Sequence, residues 1–355
     1  MSAARAHRED RLPRHLIQPP INCCTIMVLY PIRQRHNNRR AIALTATACS
    51  AMVQRVVPTN ASTNCSPPSW SWTAVADLIR LRNQSGTWLL MWPSLWALVL
   101  ANHGRPPLWL VCVFALGSFV MRSLGVVIND MADRDFDKHV ARTSQRPLAA
   151  GRLTVGHALV VALWLTLIAA GLVSTLNWLT ISLSPIALLL AAVYPFCKRW
   201  IHMPQAVLGI AFGWGAIMAW AASRATIDPQ AWWLFGATTC WAVAYDTIYA
   251  LQDREDDQRI GVKSSALLFG PTVPLAVGLF LTGMMGCLLT AGYLSGLGMG
   301  YYLMLALVGG IFLRQVRRLG FSIAPHAAFE MFYQHVYVGA AILIALWIGT
   351  FGTSP

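Results

Sequence analysis

Nine apolar stretches of about 20 residues constrain this chain more than any other feature of its sequence. They lie near residues 84–102, 107–128, 155–174, 177–196, 205–222, 231–251, 272–293, 298–313 and 335–352. A helix of about 20 mostly apolar residues crosses the hydrocarbon core of a bilayer. Because lipid offers no hydrogen-bond partners, each spanning backbone must satisfy its own polar groups as a helix. The sequence therefore predicts an all-α integral membrane protein with about nine transmembrane helices.

The charge content agrees with a lipid environment. Only 12% of the 355 residues are charged, whereas a soluble domain usually has about 25%. We interpret the net charge of +13 as the basic edge of a membrane protein, because the Lys and Arg residues lie between apolar stretches. The eight cysteines include no C-x-x-C pair, which argues against structural zinc and against a disulfide framework. We expect the lipid bilayer as a partner and no nucleic acid.

The N-terminal region differs from the rest of the chain. It is rich in Arg, Ser, Thr, Asn and Pro and contains no long apolar stretch. Three interpretations compete: a transit peptide, a disordered tail, and an upstream start that precedes a true start such as Met27 or Met52. The third is favoured, because several prolines would break an amphipathic helix. We expect a basic, disordered extension at 1–77 and a polytopic domain at 78–355.

The basic residues of this domain are distributed unevenly between its loops. Loops after odd-numbered stretches carry only Arg105 and Arg224. Loops after even-numbered stretches carry Arg134, Lys138, Arg142, Arg146, Arg152, Lys198, Arg199, Arg254, Arg259, Lys263, Arg314, Arg317 and Arg318. The positive-inside rule then places the even-numbered loops in the cytoplasm. We expect the bacterial inner membrane with a site that faces the cytoplasm, or alternatively the mitochondrial inner membrane with a matrix-facing site.

A first acidic motif follows the second apolar stretch. If the helix continues there, Asp130, Asp133 and Asp137 share one face at i, i+3 and i+7, with Asn129 beside them. Asp135 points elsewhere and is expected to be a solvated acid. Unpaired carboxylates at such close spacing would repel one another next to lipid. A divalent cation removes that repulsion.

A second acidic motif ends the sixth stretch. Asp246, Tyr249, Asp253 and Asp257 again share a helical face. Asp246 lies well inside an apolar run, and an ionisable residue at such a depth indicates a functional site. Glu255 and Asp256, like Asp135, are expected to be solvated acids.

The two motifs together predict a magnesium site. Their oxygen ligands, without His or Cys, favour Mg²⁺ over zinc or copper. Mg²⁺ prefers to be shared with phosphate oxygens, so two acidic clusters across a cavity would hold cations that bridge one diphosphate. The expected metal ligands are Asp130, Asp133, Asp137, Asp246, Asp253 and Asp257.

Basic and polar residues near the motifs are candidates for substrate binding. Lys198 and Arg199 end the fourth stretch, where Lys198 suits a diphosphate and Arg199 suits a phosphate or a carboxylate. We expect both to act in catalysis with Asp130, Asp133 and Asp246. The expected substrate-binding set is Asn129, Tyr194, Lys198, Arg199, Arg142, Arg146, Tyr249 and Arg80. The simpler alternative for the basic residues is topological anchoring.

Four segments of the sequence resemble the UbiA family of intramembrane prenyltransferases. They are the N-D-x-x-D-x-x-x-D motif at 129–137 with the following 142–148, the segment 194–199, the segment 204–209 followed by Trp214, and the D-x-x-Y-x-x-x-D motif within 245–257 with the following 260–265. The last three segments are similar to the branch that acts on 4-hydroxybenzoate. The resemblance covers roughly 78–352. One departure is that Arg82, Asn83 and Gln84 stand where this branch usually has Asp-Lys-Pro.

The resemblance implies a fold and a reaction. The fold is nine transmembrane helices around a central cavity. The reaction is Mg²⁺-dependent transfer of a polyprenyl group from a polyprenyl diphosphate to 4-hydroxybenzoate in ubiquinone biosynthesis, where other enzymes of that pathway are potential partners. Homogentisate or a naphthoate is an alternative acceptor. A cation transporter is an alternative of another class, although its acids would be expected near the membrane midplane and not near one interface.

Overall fold

Nine helices of 17 to 25 residues make up most of the described part of the chain. The computed structural model describes residues 70–140, 142–320 and 322–351, without the side chains of Lys198 and Ile260. In chain order the long helices are α1 (Ser85–Ala101), α2 (Leu108–Ala132), α3 (Val155–Val173), α4 (Trp178–Trp200), α5 (Pro204–Arg224), α6 (Pro229–Ala250), α7 (Val273–Leu294), α8 (Met299–Arg318) and α9 (Pro325–Gly349). Each of them overlaps one apolar stretch of the sequence, which confirms the all-α prediction.

Most of these helices are suited to lipid. Seven helices among the described residues are long and apolar enough to cross a membrane, and α1 is a shorter apolar helix. The predicted number of about nine spans is therefore approximate. α6 is not among the seven, and it carries the buried Thr238 and Thr247 and the acidic Asp246. Large apolar side chains such as Leu163, Trp164 and Leu167 of α3 are exposed on the surface, as expected where lipid is the solvent.

The last helix begins at Pro325, well before the predicted start near 335. Proline suits the first position of a helix, because its missing N–H would have no partner there. The first turns carry the exposed His326 and Glu330, so the apolar pattern does not yet mark this part of the helix. The predicted start is too late because the helix begins before its apolar segment does.

Hydrogen bonds near the helix ends show that consecutive helices alternate in direction. At one end, Arg199 donates to the carbonyl of Ala132, and Lys263 donates to the carbonyl of Trp200. At the other end, Asn102 donates to Ser223, and Trp347 donates to the carbonyl of Gly104. We call the first the motif end, because both acidic motifs lie there. It collects the C-termini of α2, α4, α6 and α8.

α6 lies at the centre of the core and packs against α5, α7 and α9. The Trp96 and Trp241 rings are 5.0 Å apart, and the indole N–H of Trp96 donates to the carbonyl of Gly339. A Cβ at Gly339 would lie 2.1 Å from Cδ1 of Trp92, so only glycine allows this close approach of α1 and α9. Trp241 and Tyr245 of α6 are both buried in this core, whereas Asp246 is only partly buried.

A smaller core joins α2 and α3 to a short helix, Trp72–Leu78, at the motif end. Ala74 and Leu78 of the short helix are buried, and Asp77 pairs with Arg152 at 2.9 Å. The described structure therefore begins before the predicted domain boundary at residue 78. Most of the predicted extension at 1–77 lies outside the described residues.

We predict that this short helix stabilises the domain. Leu78→Ala should lower the unfolding free energy by about 2–5 kcal/mol, because it leaves a cavity in the smaller core. Leu81→Ala is the matched control, since Leu81 is 50% exposed. Thermal unfolding of the purified protein in detergent compares the two variants. Equal unfolding temperatures would mean that the short helix contributes nothing.

Candidate functional site

A cavity of 670 Å³ lies among α1 to α6 and extends to the motif end, where Arg142, Arg146 and Lys263 line it. Its polar part contains residues from both acidic motifs, including Asn129, Asp130, Asp246 and Asp253. Its other walls are mostly apolar and include Val113 near the start of α2. From Asp130 to Val113 the helix rises ~25 Å. The cavity therefore joins a charged end to a long apolar section.

The first acidic motif does not lie on one continuous helix. α2 ends at Ala132, Asp133 follows outside helical geometry, and a short turn of helix spans Arg134–Asp137. The expected i, i+3, i+7 face is therefore interrupted at Asp133. Asp130 and Asp137 nevertheless come together, because Arg146 contacts both carboxylates, at 3.2 Å and 2.8 Å.

Asp130 is held by a cage of arginine side chains. Its side chain is 1% exposed, and one guanidinium nitrogen of Arg80 donates to both carboxylate oxygens, at 2.9 Å and 2.8 Å. Arg80 has a left-handed φ of 56°, and its other terminal nitrogen donates to the carbonyl of Asp77. A buried carboxylate is costly unless it is paired, so the contacts with Arg80 and Arg146 offset the cost of burying Asp130 at this position.

The second acidic motif lines the cavity with all four of its predicted residues, Asp246, Tyr249, Asp253 and Asp257. α6 ends at Ala250, and a short helix, Arg254–Ile260, carries Asp257. Arg142 grips Asp253 through two nitrogens, with its Nε at 2.8 Å from Oδ1, and it donates to the Tyr249 hydroxyl at 2.8 Å. Arg142, from the loop after the first motif, thus binds two residues of the second motif.

The environment of Arg142 keeps its guanidinium charged. Burial by itself would lower its pKa, but Tyr249 and the carboxylate of Asp253 outweigh that effect and raise the pKa above its usual value. The guanidinium of Arg142 therefore stays charged where it joins the two motifs.

Tyr194 of α4 lies between the motifs. Asp246 of the second motif, Asp133 of the first and Tyr249 all interact electrostatically with it. Tyr194, Asp246 and Asn129 also line the same cavity. The structure therefore brings the predicted Tyr194 and residues of both motifs to one cavity.

The donors at this place fit a cation that is shared with an anion. All of them are carboxylate, amide or phenol oxygens, which Mg²⁺ prefers. Within the described ranges, no three His, Cys, Asp or Glu residues form a ready-made metal cluster. Asp130, Asp137 and Asp253 are instead paired with arginines. Such a donor set matches Mg²⁺ that takes part of its shell from phosphate oxygens.

The predictions for the two basic residues at the end of α4, Lys198 and Arg199, compare differently with the structure. The side chain of Lys198 lies outside the described residues, so its role stays a prediction. Arg199 is exposed and is not among the residues that line the cavity. Its guanidinium donates to the carbonyl of Ala132 at 2.7 Å and lies over the rings of Phe136 and Phe196. Arg199 therefore supports the end of α2 in this structure.

Arg122 is not among the residues predicted from the sequence, although it lies within α2 and lines the cavity. Among the described residues, its guanidinium donates only to the carbonyls of Ile79 and Asn83, at 3.0 Å and 3.1 Å. It carries no ion pair there, unlike Arg80, Arg142 and Arg146. A charged residue in the middle of an apolar helix is itself a functional signal, and this signal was available from the sequence.

The segment that departs from the usual Asp-Lys-Pro holds Arg122 in place. Asn83 supplies a carbonyl to Arg122, and its side chain accepts from the N–H and the hydroxyl of Ser85. Gln84 donates to the carbonyl of Arg80 and accepts from Thr87. A Cβ on Gly86, in the first turn of α1, would lie 3.0 Å from Nε of Arg122, so glycine makes room for the guanidinium. The replaced residues thus form the local support of a cavity wall.

Known proteins with similar sequences include enzymes of one activity. A 4-hydroxybenzoate octaprenyltransferase from Pectobacterium carotovorum is 48% identical over 278 residues, which are 78% of this chain and 96% of that protein. An enzyme of the same name from Vibrio cholerae is 46% identical over 275 residues, 76% of this chain and 96% of the relative.

Solved structures show the same fold. A UbiA homolog from Aeropyrum pernix K1 superposes with a TM-score of 0.60 at 24% identity, over 73% of this chain and 96% of that one. A UbiA homolog from Archaeoglobus fulgidus bound to GPP and Mg²⁺ has a TM-score of 0.58 at 15% identity, over 79% of this chain and 100% of that one. The sequence also matches the UbiA prenyltransferase family over residues 90–336. The chain belongs to the UbiA prenyltransferase family.

Proposed function

We propose that this chain transfers a polyprenyl group from an all-trans-polyprenyl diphosphate to 4-hydroxybenzoate in ubiquinone biosynthesis. The new bond forms at the ring carbon ortho to the hydroxyl, and diphosphate is released. The observation that carries the proposal is the cavity, which joins two acidic motifs at one end to an apolar section. The choice of acceptor is supported by the relative that is 48% identical and named for 4-hydroxybenzoate.

The charged end of the cavity suits the diphosphate. Asp130, Asp133, Asp137, Asp246, Asp253 and Asp257 would hold Mg²⁺, with Asn129 and Tyr194 beside them. Bound Mg²⁺ neutralises the negative charge that the diphosphate gains as its bond to carbon breaks. Arg80, Arg142 and Arg146 already lie among these carboxylates and present N–H donors to phosphate oxygens. A UbiA homolog of known structure binds GPP and Mg²⁺, which supports this assignment.

The apolar section suits the prenyl tail. Phe114, Leu172, Leu188 and Phe212 contribute to its walls from four different helices. Such walls bind isoprene units by burying their apolar surface. They also exclude water, which would otherwise quench the allylic cation that remains when diphosphate leaves.

Arg122 is the proposed partner of the acceptor's carboxylate. Four arginines line the cavity, and Arg122 is the one among the described residues that forms no ion pair with a carboxylate of the chain. Its planar guanidinium matches a carboxylate in shape and charge. It lies near Asp130 and Tyr249, which interact with it electrostatically. An acid held there would present its ring to the diphosphate end of the cavity.

The chain's residues then act mainly by position and charge. The electron pair of the breaking C–O bond leaves with the diphosphate, which the arginines stabilise. The ring of the acceptor, held through its carboxylate, lies close to the allylic carbon and attacks it. Loss of the ring proton restores aromaticity.

A product assay tests this function directly. Membranes that contain the chain are incubated with a polyprenyl diphosphate, MgCl₂ and a panel of aromatic acids, and the products are identified by mass. Prenylated 4-hydroxybenzoate and released diphosphate are expected. A product with homogentisate or a naphthoate alone would refute the proposed acceptor, and the absence of any metal-dependent diphosphate release would refute the enzyme.

The carboxylates of both motifs should be essential. We expect Asp130→Ala, Asp133→Ala and Asp246→Ala to lower turnover at least about a hundredfold, because the leaving diphosphate loses its charge stabilisation. Asp135→Ala is the control in the same motif, since Asp135 is exposed and pairs with Lys138 outside the cavity. Turnover is measured at several Mg²⁺ concentrations. Near-normal activity of Asp130→Ala at limiting Mg²⁺ would contradict the metal assignment.

Steady-state kinetics should distinguish the role of Arg122 from that of Arg199. Arg122→Gln is expected to raise the KM for 4-hydroxybenzoate about tenfold or more, because a charge-assisted hydrogen bond is lost. Arg122→Lys should recover part of this loss by keeping the charge. Arg199→Gln should leave this KM unchanged, because Arg199 lies outside the cavity wall. The opposite pattern would assign the carboxylate to Arg199.

We further propose that the catalytic domain lies within 78–355 and that its site faces the cytoplasm of a bacterial inner membrane. Every proposed site residue lies at or after Arg80, and basic loops surround the motif end.

We predict that a chain of residues 70–355, expressed in bacteria, keeps full specific activity. It should use externally added prenyl diphosphate in inverted vesicles but not in right-side-out vesicles, because the diphosphate does not cross a membrane. Activity in right-side-out vesicles would mean that the site faces the opposite side of the membrane. Low activity in both kinds of vesicle would show that the N-terminal extension is needed.

A further inference from the structure

Gln205, in the first turn of α5, faces the charged end of the cavity. Its side chain is buried at 5% exposure, and its carbonyl oxygen accepts from the backbone N–H of Ser265 at 3.1 Å. A backbone N–H can donate only to an acceptor, so this bond fixes which end of the carboxamide is which. The amino group of Gln205 must point the other way. Among the described residues it donates to no partner.

A buried network holds this orientation. The hydroxyl of Ser265 lies 2.6 Å from the hydroxyl of Thr247, and Ser265 and Thr247 are both buried. Thr247 follows the motif residue Asp246 in α6. The network therefore ties the carboxamide of Gln205 to the helix that carries the second acidic motif. An amide that is fixed before a ligand arrives loses little entropy when it binds.

The neighbours of Gln205 indicate an anionic ligand with several oxygens. Lys263 and Ser264 line the same cavity, directly before Ser265 in the chain. The ammonium of Lys263 donates one hydrogen bond to the carbonyl of Trp200 at 3.0 Å, and an ammonium has three donors. Asp257 also lines this part of the cavity. A fixed N–H₂ group and a cation beside proposed metal ligands match a diphosphate.

We propose that the amino group of Gln205 donates a hydrogen bond to a diphosphate oxygen of the prenyl donor and that Ser265 and Thr247 position it. This inference rests on the proposed prenyl transfer and adds a donor that acts on the leaving group. The hydrogen bond strengthens as the C–O bond breaks, because the electron pair and its negative charge move onto the diphosphate. Gln205 then acts in catalysis and the other two are positioning residues.

Two substitutions of Gln205 test the contact. Gln205→Glu keeps the acceptor for the Ser265 N–H and replaces only the amino group by an oxygen that repels phosphate. Gln205→Met has a similar size and removes the donor without adding a charge. Both are assayed in the full chain with MgCl₂ for the KM of each substrate, for kcat, and for inhibition by inorganic diphosphate. Thermal unfolding in detergent confirms that each variant is folded.

We expect Gln205→Glu to raise the KM for the prenyl diphosphate and the inhibition constant of inorganic diphosphate at least about tenfold, as for the loss of one hydrogen bond to a charged group. The effect of Gln205→Met should be smaller and in the same direction. The KM for 4-hydroxybenzoate should change less than about twofold in both. An unchanged diphosphate inhibition constant would overturn the inference, and so would a rise in the KM for 4-hydroxybenzoate alone.

A pair of threonine variants tests the positioning role. Thr247→Val removes the link to Ser265, whereas Thr238→Val removes a buried hydroxyl of the same helix that donates only to the carbonyl of Leu234. Thr247→Val should raise the inhibition constant of inorganic diphosphate about threefold, and Thr238→Val should not change it. Equal effects would refute the positioning role. If the wild-type chain forms no prenylated product, the proposed function fails, whereas normal wild-type activity with unaffected Gln205 variants refutes only this inference.

Discussion

The pairing of buried carboxylates with arginines is the constraint on which the rest of this structure depends. Asp130 is 1% exposed at the end of an apolar helix, and its charge would be prohibitive there without Arg80 and Arg146. Each arginine arrives from a different part of the chain and brings its own segment to the motif end. Arg80 anchors the segment before α1, and Arg146 anchors the loop after α2. The same ion pairs that make the acids tolerable therefore shape the mouth of the cavity.

This arrangement gives the cavity its two chemically distinct parts. Charge is confined to the motif end, where Arg142 joins the loop of the first motif to Asp253 of the second. The rest of the cavity is built from apolar side chains of α1 to α5. A diphosphate with a long hydrocarbon tail has the same division of character. A low-polarity wall also strengthens each charge interaction at the polar end, because little water screens it.

The breaks in the helices are as important as the helices. α2 stops at Ala132 and α6 stops at Ala250, and in both cases the motif continues into a short helix. The breaks allow Asp137 to approach Asp130 through Arg146 and place Asp257 on the cavity wall. A straight extension of either helix would have carried its later carboxylates away from the bundle.

The sequence by itself determined the helices and the composition of the site. A long apolar stretch is a local feature, so each of the nine long helices could be located from its own residues, and the motif spacing identified the acids from Asp130 to Asp257. The start of α9 at Pro325 was the exception, because its polar first turns do not show the apolar pattern.

Only the tertiary structure decided which charged side chains pair with one another. Arg80 meets Asp130 across 50 positions and Arg142 meets Asp253 across 111. The tertiary structure also places Arg122 and Gln205 on the cavity wall and Arg199 outside it. Such contacts depend on how helices pack around α6, and no local pattern in the sequence encodes that arrangement.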